Sequence, residues 1–402
     1  MTTLERFLKY VKINTQSDPN SDTSPTSKQQ FDLAYELEKE LKNLGLKDVK
    51  VSEYCYVTAL LPKNTNVDTK TIGLIAHLDT SADLTGKNVI PQIIKNYDGN
   101  DICLNKEENI YLRVSDFPYL KEYIGHDLVT TNGLTLLGAD DKAGIAAIMG
   151  MLENIITNNI PHGDIKICFT PDEEVGKGTA HFNVEDFGCD FAYTVDGGKI
   201  GEISYENFNA ASANLTFIGK EIHPGSAKGK MVNAIRVAME FESMLPQQLK
   251  PEYTDGYDGF NHLHAISGDV SIAKTEYIIR NHDESLFKTQ KDEFIRIKDY
   301  LNSKYQYEIV KLEIKDSYKN MRYLLEDKKY IIDLATECMK KLNIKPLLLP
   351  IRGGTDGANL TYMGLPCPNL GTGGMNFHGR YEFLSINELE LNVQLLTEII
   401  KI

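Results

Sequence analysis

The chain has 402 residues, of which 42% are hydrophobic and 25% are charged, an ordinary balance for a globular protein with room for two domains. Its net charge of −14 repels phosphate backbones, so no nucleic-acid partner is expected. No apolar run approaches the roughly 18 residues of a membrane span, so no membrane partner is expected either. The N-terminal MTTLERFLKYVKINT lacks the apolar segment of a secretory signal, and the six cysteines form no C-x-x-C pair. Together these features predict a cytoplasmic protein with reduced thiols.

The first half of the chain alternates helix and strand patterns. A helix is predicted over 28–44, closed at its C-cap by Gly45. Strands are then predicted at IGLIAHLD, DIKICFTPDE and FAYTVDGG, and a helix at GIAAIMGMLENII. Strands that interleave with helices predict an α/β domain with a mainly parallel sheet.

Near residue 206 the order of elements changes. ASANLTFIG predicts a strand, GKMVNAIRVAMEFESML a helix, and HLHAISGDV and SIAKTEYIIR two strands around a Gly-Asp turn. A helix (ESLFKTQKDEFIRIKDYLNSKY) and a strand (YEIVKLEIKD) follow, which completes the β-α-β-β-α-β order of a ferredoxin-like unit. We therefore expect a discontinuous catalytic domain (1–206 and 318–402) interrupted by an insertion or lid domain (207–317), with hinges at the two polar crossings between them.

Acidic and imidazole side chains stand where the predicted strands end. They are His77, Asp79, Asp140, Asp141, Asp172, Glu173, Glu174 and Asp196, with His378 in the downstream glycine-rich loop GTGGMNFHGRYE. Each has a structural alternative, such as a helix cap for Asp140, a solvated turn for the acidic triplet or a turn dipeptide for Asp196. Ligands bind at the carboxyl ends of strands in open α/β sheets, so the shared position predicts one pocket.

This set of side chains suits a metal. Two histidines with several carboxylates and no cysteine favour zinc, with manganese or cobalt as substitutes. The carboxylates are too many for one tetrahedral ion. Two ions that share a bridging carboxylate, roughly 3.5–4 Å apart, would use them all.

The set resembles the M20 metallopeptidase family. The family pattern is H-x-D after a strand, a bridging Asp, a Glu-Glu pair, an Asp and a late His, and here it is matched by His77-Leu78-Asp79, Asp140, Glu173-Glu174, Asp196 and His378. The resemblance covers essentially the whole chain. The variants LIAHLDTS, GADDKAG, TPDEEVG, IHPGSAKGKMVNA and RGGTDGA look closer to the family's tripeptide aminopeptidases than to its deacylases. The implied function is release of the N-terminal residue from tripeptides, with two Zn²⁺ per subunit.

The resemblance also implies a role for each metal ligand. Asp140 would bridge both ions. His77 and Asp196 would complete one zinc site, and Glu174 with His378 would complete the other.

Three further residues receive catalytic roles by the same resemblance. Asp79 would accept the second N–H of His77 and so orient the imidazole. Glu173 would take a proton from a metal-bridging water and pass it to the leaving amine. His223, in KEIHPGSA of the insertion, would hold the oxyanion, in its own subunit or across a homodimer. A structural turn is the alternative for His223.

A tripeptidase must bind both ends of a short peptide. Arg280 is our candidate for the peptide carboxylate, because a guanidinium binds carboxylate in a bidentate way, and Arg352 is the second candidate. Asp356 is the candidate for the α-amine, and solvent-exposed ion pairs are the alternative for Arg280 and Asp356. An N-acyl-amino-acid deacylase or dipeptidase of the same family, and a non-catalytic binding protein of the same fold, remain the alternative functions.

Overall fold

The computed structural model describes residues 1–402, which form two compact units. The first unit comprises Met1–Tyr205, Tyr323–Leu349 and Thr355–Ile402. The second comprises Glu206–Arg322 and Pro350–Gly354. None of the helices combines the length and the hydrophobicity that crossing a membrane requires.

The chain forms ten α-helices and eighteen strands. The helices are α1 Thr3–Tyr10, α2 Gln30–Asn43, α3 Ala139–Thr157, α4 Val184–Phe187, α5 Ala234–Met244, α6 Glu284–Tyr305, α7 Arg322–Leu325, α8 Tyr330–Lys341, α9 Asp356–Tyr362 and α10 Ile386–Ile400. The strands are β1 Lys47–Val51, β2 Val57–Leu61, β3 Ile72–His77, β4 Gln92–Ile94, β5 Ile102–Asn105, β6 Ile110–Leu112, β7 Leu128–Thr130, β8 Ile165–Thr170, β9 Phe191–Val195, β10 Glu202–Ser204, β11 Asn209–Ile218, β12 Phe260–Gly268, β13 Ile272–Asn281, β14 Val310–Tyr318, β15 Leu347–Leu348, β16 Asn369–Leu370, β17 Gly374–Met375 and β18 Phe383–Ser385.

The first unit is built on an eight-stranded sheet of order β1-β2-β8-β3-β9-β16-β10-β15. The central strands β8, β3, β9 and β16 run parallel, whereas β1 and β2 join antiparallel at one side. Every residue of β3 from Gly73 to His77 is buried, as expected of a central parallel strand covered on both faces. Helix α3 packs on β3, β9, α1 and α10. This is the predicted α/β fold with a mixed, mainly parallel sheet.

Two small sheets in the first unit were not predicted from the sequence. One has the order β17-β18-β7-β4 and the other pairs β5 with β6. Their strands have only two to four residues each, too few to show the alternation of apolar and polar residues that predicts a strand. The first of these sheets matters for the site, because β17 and β18 flank the loop that carries His378.

The second unit is a four-stranded antiparallel sheet of order β12-β13-β11-β14, against which α5 and α6 pack. Element order and strand order are those of a ferredoxin-like split βαβ unit. Helix α5 begins at Ala234, later than the predicted start near 229. The cause is Asn233, whose side chain accepts hydrogen bonds from the backbone N–H groups of Ile235 (2.9 Å) and Arg236 (3.4 Å) and so caps the helix there.

Candidate metal centre

The predicted ligands of the first unit stand at neighbouring strand ends. His77 is the last residue of β3, Asp196 follows β9, and Glu173 and Glu174 form a short 3₁₀ turn after β8. Asp140 lies at the start of α3, where its backbone is not yet helical. Because β8, β3 and β9 are parallel neighbours, their carboxyl ends share one edge of the sheet and bring these side chains together.

The Asp140 carboxylate lies between the two histidines. Its Oδ1 is 2.8 Å from Nε2 of His77, and its Oδ2 is 3.3 Å from Nε2 of His378. The same His378 nitrogen lies 2.9 Å from Oε2 of Glu174, and the same His77 nitrogen lies 3.8 Å from Oδ1 of Asp196. Nε2 of each histidine therefore has one oxygen of Asp140 and one oxygen of a further carboxylate within 4 Å.

These spacings fit a metal ion. Ligand atoms bound about 2.0–2.1 Å from a tetrahedral zinc ion lie about 3.3 Å from one another, within the observed range of 2.8–3.8 Å. Two sets of donors have their ligand atoms within 4.8 Å of each other: His77, Asp140 and Glu174, and His77, Glu173 and Asp196. Oε1 of Glu174 is buried and has no hydrogen-bond partner, as expected of an oxygen that would coordinate a cation.

The electrostatics of the cluster also favour a cation. Burial raises the pKa of Asp196 to about 7, and the nearby charges of Asp140 and Glu174 add to this effect against the opposing influence of His77. Burial likewise raises the pKa of Glu174 above its ordinary value, with repulsion from Asp140 next. Several carboxylates in one buried place repel each other when ionised, and divalent cations would remove that cost.

Asp79 supports both His77 and the glutamate pair. Nδ1 of His77 lies 3.0 Å from the backbone oxygen of Asp79 and 3.4 Å from its Oδ1. The Asp79 carboxylate also accepts hydrogen bonds from the backbone N–H groups of Glu173 (2.9 Å) and Glu174 (3.2 Å). The sequence predicted only the contact with His77. The structure adds that Asp79 connects the end of β3 to the turn after β8.

The sequence left a helix cap as the structural alternative for Asp140. In the structure, the adjacent Asp141 makes the contact with the first turn of α3. Asp141 is fully buried, and its Oδ1 accepts a hydrogen bond from the backbone N–H of Gly144 (3.2 Å) in the first turn of α3. Its Oδ2 accepts from the backbone N–H of His77 (3.1 Å). Asp141 therefore fastens α3 to the end of β3, and the Asp140 side chain faces the histidines instead.

Three acidic residues near the metal centre have contacts that were not predicted from the sequence. Oδ2 of Asp83 lies 3.2 Å from Nδ1 of His378, so His378 has a carboxylate at its second nitrogen. Asp172, fully buried, accepts hydrogen bonds from Thr26 and Gln30 directly before Glu173. Glu382, four residues after His378, accepts hydrogen bonds from backbone N–H groups of residues 137–140. Of the three, only Asp172 was a candidate from the sequence, because it stands in the acidic triplet after β8.

Asp356 belongs to the first unit and is buried. Its Oδ2 accepts a hydrogen bond from Oγ1 of Thr170 (2.8 Å), the last residue of β8. Burial raises the pKa of Asp356 to about 7, whereas the hydrogen bond from Thr170 lowers it. Asp356 is thus a buried acidic side chain that meets a neutral hydroxyl at the end of the strand preceding Glu173.

The other predicted site residues, His223, Arg280 and Arg352, belong to the second unit. His223 is exposed, and its Nδ1 accepts a hydrogen bond from the backbone N–H of Gly225 (3.1 Å). Nη1 of Arg280 donates to the backbone oxygens of Ala211 (3.2 Å) and Ile279 (3.0 Å). These contacts hold each side chain in one orientation within the unit.

Arg352 is fastened to a loop of the same unit. Nη1 donates to the backbone oxygens of Gly256 (2.8 Å) and Asp258 (2.9 Å), and Nη2 donates to Oγ1 of Thr254 (3.1 Å). Its guanidinium also lies over the ring of Phe208, 5.1 Å from the centroid. Arg352 therefore has a structural role in the second unit whatever else it binds.

Comparison with known proteins places this chain and its fold among the peptidases. The model of peptidase family M20/M25/M40 matches residues 132–402, and the chain belongs to this family. Peptidase T of Caldanaerobacter subterraneus subsp. tengcongensis is 54% identical over 99% of this chain and 98% of its own length. Peptidase T of Alkaliphilus oremlandii is 51% identical over the same shares of the two chains. The crystal structure of aminopeptidase PepT from Bacillus cereus has the same fold, with a TM-score of 0.79 at 21% identity over 99% of this chain and 97% of that one.

These comparisons confirm the resemblance and the fold class that the sequence predicted. They also confirm that the chain is an enzyme of the metallopeptidase class. The roles of the individual site residues and the limits of the lid domain stay predictions.

Proposed function

We propose that the protein is a metal-dependent aminopeptidase that releases the N-terminal residue from tripeptides. The observation that carries this proposal is the position of Asp140, which turns one carboxylate oxygen toward each of two histidines. Such an arrangement suits a carboxylate shared by two cations. Membership in the M20 family and the Peptidase T relatives support the same activity.

The proposed cofactor is a pair of zinc ions, for which manganese or cobalt could substitute. His77 and Asp196 would hold one ion, Glu174 and His378 the other, and Asp140 both. When bound, the ions would act as Lewis acids on the peptide carbonyl. Asp79 and Asp83 would orient the two imidazoles through their second nitrogens.

Glu173 is the proposed general base. It would take a proton from the attacking water and deliver it to the nitrogen of the leaving amine. In the absence of metal, burial and next the charge of Asp196 raise the pKa of Glu173 well above its ordinary value. The hydrogen bond from its backbone N–H to Asp79 fixes the turn that carries it.

The proposal assigns the ends of the peptide to three side chains. Asp356 would bind the α-amine, because it is a buried carboxylate that meets only a neutral hydroxyl among its hydrogen-bond partners. Arg280 would bind the peptide carboxylate, with Arg352 as the second candidate. His223 would hold the oxyanion, and the 207–317 insertion would serve as the lid that delivers these groups.

The decisive experiment is product analysis on peptides of different length. Metal-free protein is reconstituted with zinc, manganese or cobalt and incubated with di-, tri- and tetrapeptides and with an N-acetylated tripeptide. We expect cleavage of the free tripeptide at its first bond, no cleavage of the acetylated one, and no activity after chelation. Preferred cleavage of the acetylated substrate would instead identify a deacylase, and full activity in metal-free protein would exclude the metal centre.

The proposed location is the cytoplasm, in keeping with six cysteines that form no disulfide. The proposed assembly is a homodimer in which His223 serves its own or the partner's site. Mixing inactive Glu173→Gln and His223→Ala subunits separates these cases. If His223 acts across the dimer, each hybrid dimer has one site with both Glu173 and His223 intact, and activity is restored. If His223 acts in its own subunit, no site has both residues, and activity is not restored.

A further inference from the structure

Glu382 lies at the base of the loop that leads to Asp140. It directly precedes β18, and only 1% of its surface is exposed. Its Oε2 accepts hydrogen bonds from the backbone N–H groups of Leu137 (2.6 Å) and Gly138 (2.9 Å), and its Oε1 accepts from the backbone N–H of Asp140 (3.2 Å). One carboxylate thus binds three N–H groups within four consecutive residues.

These N–H groups belong to backbone that helix geometry does not hold. Gly138 has a φ of 81°, and Asp140 has φ −83° and ψ 104°, so the regular hydrogen bonds of α3 begin only beyond them. A buried N–H without a partner costs about 1–3 kcal/mol, and Glu382 supplies acceptors for three.

A buried lysine lies near this carboxylate. Lys142 is 1% exposed, and its Nζ donates to the backbone oxygen of Ile13 (2.7 Å). Burial lowers the pKa of Lys142 to about 7, whereas the nearby carboxylates of Glu382 and Asp79 raise it.

We infer that Glu382 is a positioning residue, which holds the Asp140 carboxylate between His77 and His378 before any metal binds. Glu382 acts through the backbone of residues 137–140 and makes no contact with substrate. The inference rests on the proposed function in one respect, namely that Asp140 is a metal ligand. Its consequence is that metal affinity depends on an acidic side chain that does not itself coordinate the ion.

Glu382→Gln is the sharpest test, because it changes one oxygen to an NH₂ group at nearly constant size. If the remaining oxygen faces Leu137 and Gly138, the new NH₂ group meets the N–H of Asp140, and two donors oppose each other. If the amide turns round, two N–H groups lose their acceptor instead. Either way the loop shifts, and we expect the affinity of the folded metal-free protein for zinc to fall about 10–100-fold, as is usual when the support of a metal ligand is removed.

Glu388→Gln is the matched control. Glu388 is also buried (3% exposed) and accepts a hydrogen bond from a backbone N–H, that of Ile200 (3.0 Å), but it makes no hydrogen bond with residues 137–140. Zinc affinity is measured by competition with a chromophoric chelator, and the thermal unfolding of each metal-free variant is measured beside it. We expect the control to lose stability comparable to that lost by Glu382→Gln and to keep wild-type zinc affinity within about twofold.

Wild-type zinc affinity in Glu382→Gln, or an equal loss of affinity in both variants, would overturn the inference. If Glu382→Gln does not fold, Glu382→Asp replaces it, since aspartate keeps the charge but is one methylene shorter. An affinity of Glu382→Asp equal to wild type would likewise overturn the inference. A wild-type protein that binds no zinc would refute the proposed function itself, whereas equal binding by wild type and variant refutes only the role of Glu382.

Discussion

Replacing the two adjacent glutamates one at a time should separate catalysis from metal binding. Glu174 has a side chain only 5% exposed, and its Oε2 lies 2.9 Å from Nε2 of His378, so it stands beside a predicted ligand. Glu173 lies on the side of His77 and Asp196. Glutamine keeps the size of either side chain and removes its charge. We therefore expect Glu173→Gln to lose turnover with both metals in place, and Glu174→Gln to lose metal.

The size of the first effect follows from the role assigned to Glu173. Loss of a general base lowers kcat by about 10²–10⁴, which corresponds to about 2.7–5.4 kcal/mol of activation free energy. KM should change little, because Glu173 would act on the water and not on the bound peptide. For Glu174→Gln, kcat should recover when zinc is added in large excess, since the missing ligand weakens binding but leaves the base intact.

The assay combines metal analysis with kinetics on the same preparations. Each variant is dialysed against metal-free buffer, its zinc content is measured by mass spectrometry, and tripeptide cleavage is followed over a range of added zinc. Wild-type protein carried through the same dialysis is the control. If Glu173→Gln lost zinc while Glu174→Gln kept it and lost turnover, the two roles would be reversed. Wild-type kcat in Glu173→Gln would refute the general base.

Four further changes have predicted outcomes. His223→Ala should lower kcat about 10²–10³-fold and Arg280→Ala should chiefly raise KM and weaken the preference for three residues over four, both at unchanged metal content. Wild-type kinetics in either variant would exclude that residue from the site. In metal-free protein, burial raises the pKa of Asp196 from its ordinary 3.8 to about 7, so the folded state binds this proton more tightly than the unfolded state. The contribution of Asp196 to stability is then complete below about pH 4 and is lost as the pH rises through about 7, so calorimetry should give a lower Tm at pH 8 than at pH 6 unless zinc is added. Gly144→Ala would place a methyl group 1.9 Å from the backbone oxygen of Val195, so urea unfolding should show a loss of about 1–3 kcal/mol or more, and an unchanged midpoint would show that α3 can move away from β9.

Much of the fold of this protein could be predicted from its sequence, because local residue patterns determine where its helices and strands lie. The strand of buried apolar residues that ends at His77, the glycine after α2 and the order of elements in the second unit each follow from side-chain periodicity and cap chemistry. The metal centre was readable for a related reason. Its ligands stand at strand ends, and parallel strands bring their carboxyl ends to one edge whatever the connections between them.

Only the tertiary structure decided how those ligands are supported. Asp83 at His378, Asp79 at the glutamate turn and Glu382 at Asp140 make contacts between residues that are 94 to 295 positions apart in the chain, which no local pattern encodes. The start predicted for α5 was wrong for a different reason. Asn233 caps the helix from within GKMVNAIRVAMEFESML, a segment whose pattern predicts one continuous helix. The sequence alone shows which residue types are available as metal ligands, because imidazole and carboxylate side chains are identified by their residues. The position of each ligand depends on buried backbone N–H groups finding an acceptor, and that acceptor is supplied by whichever distant segment packs against them.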